Sequence, residues 1–196
     1  VSLNPDVDKV LDSAVNFYDG VSETEVVNYY QSITKQGDET PISYGLNSKK
    51  IKVNGEVVER VYKVGGLYTE AIERIVETLR LALPYSESKN QAEALEKLIE
   101  YYETGDLSKF DEYNILWIQD TESVVDTING LIEVYDDPLG HTGSWEAVVS
   151  IKDLDATKKF GILSRRAQWF EDHSPISMDH KREKVTGVSY KIINVI

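Results

Sequence analysis

Apolar side chains recur at helical spacing in five stretches of the first 120 residues. Asn4 followed by Pro5 is typical of a helix start, and Ser22 with Glu25 fits an S-x-x-E capping box. Pro84 is expected to end the third and longest apolar face. The five predicted helices cover residues 4–20, 22–33, 67–83, 88–105 and 107–118.

Strand patterns occur in two separate regions. Residues 42–47 are expected to be extended, and residues 51–62 place Asn54 and Gly55 between two alternating runs, which predicts a β-hairpin with a type I′ turn. Residues 131–135 and 144–150 form two further strand-like runs, separated by the turn-rich residues 136–143. A helix over residues 155–170 and an apolar strand over residues 188–196 complete the pattern.

These elements predict an α+β fold. Several amphipathic helices are expected to pack on a small antiparallel sheet or partial β-barrel. We expect three segments: residues 1–154 as one domain portion, residues 155–185 as a helix and loop, and residues 186–196 as a returning strand. The sequence contains no repeat or low-complexity tract.

Composition narrows the classes of function. The 196 residues carry 34 acidic and 21 basic side chains, a formal net charge of -13, so a nucleic acid would be repelled over most of the surface. An acidic surface suits cationic ligands such as peptide amino termini, but it equally suits a protein that is only well solvated. The absence of cysteine excludes disulfides, thiolate metal sites and cysteine nucleophiles.

No stretch of the sequence predicts a membrane span or a signal peptide. A soluble, cytoplasmic protein is therefore expected, although a removed leader would leave no trace in these residues. Both ends resemble cut ends, because the chain opens on Val1 without methionine and closes inside the apolar run that ends at Ile196. The sequence is thus interpreted as a piece of a longer protein.

Acidic residues interrupt the second pair of strand-like runs. Glu133 and Tyr135 are two residues apart, so on a strand they would project from one face, and Glu146 on the neighbouring run could reach that face. Two carboxylates and a phenol can bind an ammonium group by charge-assisted hydrogen bonds. The alternative is that both glutamates lie on the solvent side of a hairpin and bind nothing.

Residues 129–149, NGLIEVYDDPLGHTGSWEAVV, resemble a segment of the dipeptidyl peptidase III family with the pattern G-F-I-E-x-Y-x-D-P-x-G-x-x-x-x-[WF]-E. Residues 44–49, YGLNSK, and 64–73, VGGLYTEAIE, are also similar to that family, particularly to its bacterial members. The similarity extends from about Pro41 onward and leaves the first forty residues unplaced.

The resemblance implies roles for three residues. Glu133 and Glu146 match the glutamates that anchor the free amino terminus of the substrate, and Tyr135 matches the tyrosine that hydrogen-bonds the substrate backbone or the tetrahedral species. Asp136 lies at a variable position that can be basic in relatives, and His141 stands where other residues are usual, so the resemblance does not define the fine substrate preference. The resembled family has a β-barrel-containing lower domain that faces a helical zinc domain, and this chain resembles much of the lower domain.

The zinc motif of that family, H-E-x-x-G-H, does not occur in these residues. His141, His173 and His180 lack paired ligand spacing and are interpreted as loop or surface histidines. The sequence also lacks a Ser-His-Asp set and a glycine-rich phosphate loop. We therefore expect the isolated chain to bind no zinc and to be inactive, whereas the intact parent would use zinc to release dipeptides from peptide amino termini.

The expected partners are a peptide substrate and the zinc-binding domain of the same parent chain, with no nucleic acid and no membrane. Self-association of the isolated chain is expected through apolar surface that the zinc domain would otherwise cover. Two rival interpretations remain: a non-catalytic peptide-binding module and a purely structural domain.

Overall fold

The computed structural model describes residues 1–185 and 191–196. The chain divides into two compact units. The first comprises residues 1–120 and 129–147, and the second comprises residues 121–128 and 148–196. The described residues contain helices and two three-stranded sheets without a closed barrel, which confirms the α+β class.

The first sheet belongs to the first unit. Its strands β1 (Tyr18–Asp19), β2 (Ser48–Val53) and β3 (Glu56–Val61) lie in the order β1-β2-β3. The β2 and β3 strands form the predicted antiparallel hairpin, with positive φ at both Asn54 and Gly55 as a type I′ turn requires. Strand β1 pairs with β2 in parallel, so this sheet is mixed, whereas a wholly antiparallel sheet was expected.

Five α-helices belong to the first unit, and two of them begin at the predicted caps, after Ser22 and Ser88. Helix α2 (Glu23–Ile33) has the complete capping box of Ser22 and Glu25. Helix α3 is followed by a 3₁₀ turn that contains Pro84. Helix α4 starts after Ser88 and ends at Gly105 in the left-handed conformation. The remaining bounds are α1 (Lys9–Asp12), α3 (Thr69–Ala82), α4 (Lys89–Thr104) and α5 (Leu107–Gln119).

The first unit has two hydrophobic clusters. The larger lies among α3, α4 and α5 and includes Leu98, which is fully buried, with Tyr101, Tyr102 and Phe110 packed ring against ring. The smaller cluster joins α1, β1 and α2. Its buried members are Val10, Tyr18, Val21, Val26 and Tyr30.

The second sheet has the order β4-β5-β6, from strands β4 (Val125–Glu133), β5 (Ser144–Lys152) and β6 (Ile193–Val195). Strands β4 and β5 each contribute residues to both units. Strand β6 pairs with β5 in antiparallel fashion and forms part of the strand predicted over residues 188–196, of which residues 188–190 lie outside the described residues.

The second unit also contains helices α6 (Leu154–Arg165) and α7 (Ala167–His173), where one helix over residues 155–170 was predicted. Arg166 separates them, since its backbone leaves the helical region. No residue of either helix is buried. No helix in the described ranges is long and apolar enough to cross a membrane.

Two local predictions were wrong. The helix predicted from residue 4 to residue 20 is one short helix capped by Asp8, because the chain then passes into β1. Residues 42–47 were expected to be extended but contain turns at residues 44–47. Gly45 has φ +91°, a conformation that an alternating strand does not contain.

Candidate functional site

The structure places the three predicted site residues in the first unit, at the ends of two neighbouring strands. Glu133 is the last residue of β4 and is exposed, and Glu146 is the third residue of β5 and is half-buried. Tyr135 is 70% exposed and follows the strand in a turn, where the amide of Asp137 donates to the Val134 carbonyl. The strand-alternation argument therefore does not apply to Tyr135, and the convergence of the three side chains stays a prediction.

Strand β5 has two distinct faces. Trp145, Ala147 and Val149 are exposed, whereas the intervening positions are more buried, so Glu146 belongs to the less exposed face. Glu146 is thus less exposed than Glu133, and the alternative that both glutamates lie on the solvent side of a hairpin stays open. A half-buried carboxylate retains a stronger attraction for a cation than an exposed one, because less solvent screens it.

The connection from Tyr135 to Glu146 is organised by Asp137, a buried carboxylate. Asp137 Oδ1 accepts hydrogen bonds from the Tyr18 hydroxyl at 2.7 Å and the Leu139 amide at 2.9 Å. Its Oδ2 accepts from the His141 amide at 3.0 Å and the Thr142 amide at 2.6 Å. These bonds close the residues 137–142 around one side chain, as aspartate commonly does in turns.

The same loop is attached to the start of the first sheet. The Gly143 amide donates to the Leu46 carbonyl at 2.8 Å, and the Thr142 hydroxyl donates to the Ser48 carbonyl at 3.1 Å. A Cβ on Gly143 would lie 2.9 Å from the Leu131 backbone, so the close approach requires glycine. The loop before Glu146 is thus fixed to β2 as well as closed on itself.

His141 is packed in this loop. Its ring stacks on Tyr30 with 3.7 Å between ring centroids, and its Nδ1 lies 3.2 Å from the Tyr44 carbonyl oxygen. Burial lowers the pKa of His141, which favours the neutral ring. The sequence correctly placed His141 in a loop but gave no sign of this packing.

A buried ion pair lies beneath the loop in the first sheet. Lys50 Nζ donates to Glu59 at 2.8 Å and to the Ser48 hydroxyl at 2.7 Å, and it lies 4.8 Å from the centre of the Tyr30 ring. Burial lowers the pKa of Lys50, and the Glu59 carboxylate opposes this effect. The Tyr29 hydroxyl also donates to Glu59, at 3.2 Å.

A series of hydrogen bonds connects strands β4 and β5 to helix α4 beside the site. The Trp145 indole donates to the Tyr102 hydroxyl at 3.0 Å, and that hydroxyl donates in turn to Asn129 Oδ1. Burial raises the pKa of Tyr102 to about 12, so the hydroxyl keeps its proton. Asn129 of β4 and Trp145 of β5 therefore share Tyr102 of α4 as a hydrogen-bond partner. Trp145 is the residue before Glu146.

Sequence reasoning missed Asp137 and Lys50 as buried polar groups. The Asp-Pro pair at residues 137 and 138 signalled a turn, but not that Tyr18 would supply a hydrogen bond from 119 residues away. Lys50 follows Lys49 and begins the alternating run Lys50-Ile51-Lys52-Val53, a pattern that is typical of solvated lysines. Both depend on long-range pairings that no local pattern encodes.

The residues that the structure describes contain no group of three or more His, Cys, Asp or Glu side chains that could hold a metal ion. The described residues therefore do not fit a zinc site.

Comparison with known proteins identifies the family. The model of Peptidase family M49 matches residues 18–196. The chain belongs to this family. The match begins well before Pro41, where the sequence resemblance became recognisable, and so includes Tyr18 of the Asp137 network.

Curated relatives in this family are dipeptidyl peptidases. Dipeptidyl peptidase 3 of Dictyostelium discoideum is 31% identical over 143 residues, which are 73% of this chain and 20% of the relative. Dipeptidyl peptidase 3 of Homo sapiens is 26% identical over 131 residues, 67% of this chain and 18% of the relative. The chain thus spans about a fifth of the length of these relatives.

Solved structures share the fold. Dipeptidyl-peptidase III from Corallococcus sp. strain EGB superposes with a TM-score of 0.69 at 22% identity, over 92% of this chain and 33% of that chain. DPP III from Caldithrix abyssi gives a TM-score of 0.70 at 20% identity, over 86% of this chain and 31% of that chain. The α+β arrangement described above is therefore an arrangement that known members of the family adopt.

Proposed function

We propose that this chain forms the part of a zinc-dependent dipeptidyl peptidase that binds the free amino terminus of the peptide substrate. Membership of peptidase family M49 supports the reaction class, because the curated relatives are named dipeptidyl peptidase 3. The residues that would hold zinc belong to another part of the intact enzyme in this proposal. The peptide is the substrate, and the zinc domain of the same parent is the partner.

The observation that carries the proposal is the position of the two glutamates on adjacent strands. Glu133 ends β4 and Glu146 is the second residue on the less exposed face of β5, with the intervening loop held by Asp137. Two carboxylates so placed can bind an ammonium group by charge-assisted hydrogen bonds. A peptide with a blocked amino terminus carries no ammonium charge, so such a site would select unblocked peptides.

Tyr135 contributes in a different way. Its side chain is 70% exposed in the turn after β4, so its hydroxyl is accessible to a substrate in the first unit. We propose that this hydroxyl donates a hydrogen bond to the substrate backbone or to the tetrahedral species. A bond made chiefly in the transition state would affect turnover more than binding.

The test is dipeptide release by the intact enzyme with single substitutions. Glu146→Gln should reduce kcat/KM by an amount equivalent to about 2–5 kcal/mol, as expected when one partner of a desolvated charge pair is removed. Glu133→Gln should have a smaller effect, because Glu133 is exposed. Tyr135→Phe should lower kcat with little change in KM.

Glu56→Gln is the matched control, since it removes one carboxylate from an exposed position at the tip of the first hairpin. Wild-type rates in Glu146→Gln and Tyr135→Phe would refute the site assignment and favour a structural domain. Binding of unblocked peptides without any dipeptide release by the intact protein would favour the non-catalytic module.

A further inference from the structure

The Asp137 carboxylate is a buried group at the start of the loop that leads to Glu146. It is 4% exposed and accepts hydrogen bonds from one hydroxyl and three amides. Burying a carboxylate is costly unless its oxygens are hydrogen-bonded, and here both oxygens are. The loop that needs this carboxylate is the one that joins the two proposed substrate glutamates.

Tyr18 connects the loop to a distant part of the chain. Its hydroxyl lies 2.7 Å from Oδ1 and 2.8 Å from Oδ2 of Asp137, and Tyr18 itself is in β1, which pairs with β2. Burial raises the pKa of Tyr18, so the hydroxyl remains a donor. The first sheet thereby fixes the loop through Tyr18 in β1 and through Ser48 in β2.

We propose that Asp137 and Tyr18 are positioning residues that hold Tyr135 and Glu146 in the geometry that binds the substrate amino terminus. This inference rests on the proposed function and adds two residues to it. Tyr135 lies two residues before Asp137, and Glu146 lies four residues after Thr142, whose amide bonds Asp137. Without the carboxylate, the three loop amides lose their common acceptor and the loop gains conformations.

The experiment is an NMR titration of the isolated chain with tetra-alanine that has a free amino terminus, and with its N-acetylated form. Asp137→Asn replaces one carboxylate oxygen with an amide that cannot accept the amides of the loop. It should weaken binding of the unblocked peptide at least about tenfold, which corresponds to the loss of hydrogen bonds to a charged group. Weak binding of the acetylated peptide should not change.

Tyr18→Phe is the milder second variant. It removes the hydroxyl donor but keeps the carboxylate and its three amide bonds, so a loss of several-fold is expected. Asp38→Asn is the matched control, because Asp38 Oδ1 also accepts from the amide two residues onward but lies in an exposed loop outside the site. It should bind like the wild type.

Chemical shifts separate positioning from general destabilisation. In Asp137→Asn the amide signals of Tyr135 and Glu146 should shift before any peptide is added, while signals of α4 should stay in place. Unchanged affinity in both Asp137→Asn and Tyr18→Phe, with binding lost in Glu146→Gln, would overturn the positioning role and leave the proposed function standing. If Asp137→Asn fails to fold, wild-type affinity in Tyr18→Phe would by itself overturn the positioning role. Equal binding of blocked and unblocked peptides by the wild type would overturn both.

Discussion

Lys50 is fully buried, with its ammonium held by Glu59, Ser48 and the face of Tyr30. A buried ammonium group is costly unless its charge is compensated. Here the ion pair with Glu59 and the cation–π contact with the Tyr30 ring compensate it. Because the backbone oxygen of Ser48 also accepts from Thr142, this network lies next to the loop of the proposed site.

Lys50→Met should destabilise the chain by about 2–4 kcal/mol, since it keeps the side-chain length but leaves Glu59 without its cation. Urea unfolding followed by far-UV circular dichroism measures the change. Lys52→Met is the control two residues along the same strand. Its partner is Glu25 at 2.5 Å and its side chain is 36% exposed, so the expected cost is below about 1 kcal/mol. Equal losses of unfolding free energy in Lys50→Met and Lys52→Met would contradict a special contribution from the burial of Lys50.

Glu59 predicts a specific response to acid. Burial alone would raise the pKa of its carboxyl, but hydrogen bonds from Lys50, Ser48 and Tyr29 outweigh burial and hold the pKa below its ordinary value. A carboxyl with a lower pKa in the folded than in the unfolded state stabilises the fold above the unfolded pKa, near 4.3. That contribution is lost as pH falls through the folded pKa.

The free energy of unfolding should therefore fall as the pH drops below about 5, and it should fall less steeply in Glu59→Gln than in the wild type. Urea midpoints at several pH values measure both slopes, with Glu56→Gln as the exposed control. Parallel curves for wild type and Glu59→Gln would show that this carboxyl does not contribute to acid unfolding.

At the scale of elements, the sequence predicted the features that depend on local chemistry. The capping box at Ser22, the Asn54-Gly55 turn and the Gly105 cap each occur where the pattern placed them. These signals succeed because a cap or a tight turn is decided by a few neighbouring residues.

Several of the failures involve distant partners. The two-residue strand β1 exists through pairing with β2, where Tyr18 lies opposite Lys50, and nothing in the local sequence requires it. Of the apolar residues that predicted the first helix, Val10 lies in α1 and belongs to the smaller core cluster. In the same way, β4 ends before Tyr135 because the bonds of Asp137 begin the loop there, which weakens the shared-face argument for the predicted site.

Gly45 lies in the turn before β2 and requires both a positive φ and space. Its φ is +91°, and an added Cβ would lie 2.1 Å from the hydroxyl of Tyr30, a buried residue stacked on His141. Gly45→Ala should therefore lower the free energy of unfolding by about 2–4 kcal/mol, from backbone strain and overpacking together.

Gly37→Ala separates these two causes. Gly37 has φ +77° with nothing within 4 Å of an added Cβ, so its cost should be limited to about 1–2 kcal/mol of backbone strain. Thermal unfolding of the two variants gives the comparison. A Gly45 variant no less stable than the Gly37 variant would contradict the tight contact with Tyr30.

At the scale of the whole molecule, the chain consists of two units with different burial. The first has two hydrophobic clusters, whereas helices α6 and α7 of the second unit bury none of their residues. Phe160, Ile162, Trp169 and Phe170 of these helices are all about half exposed. Apolar surface of this kind is typical of an interaction site.

We expect the isolated chain to self-associate through α6 and α7 as its concentration rises. Sedimentation velocity over a range of concentrations measures this, and Phe160→Asp should shift the equilibrium toward monomer. Leu81→Asp is the control, because Leu81 is 68% exposed on α3 of the first unit. A chain that remains monomeric at high concentration, or association unaffected by Phe160→Asp, would contradict the expectation.

We propose that this member of peptidase family M49 binds the free amino terminus of a peptide through Glu133, Tyr135 and Glu146. The most direct measurement is NMR titration of the isolated wild-type chain with free and N-acetylated tetra-alanine. We expect saturable shifts of the amides of these three residues with the free peptide, lost in Glu146→Gln and much smaller with the acetylated peptide. Shifts located elsewhere, or of equal size with both peptides, would contradict it.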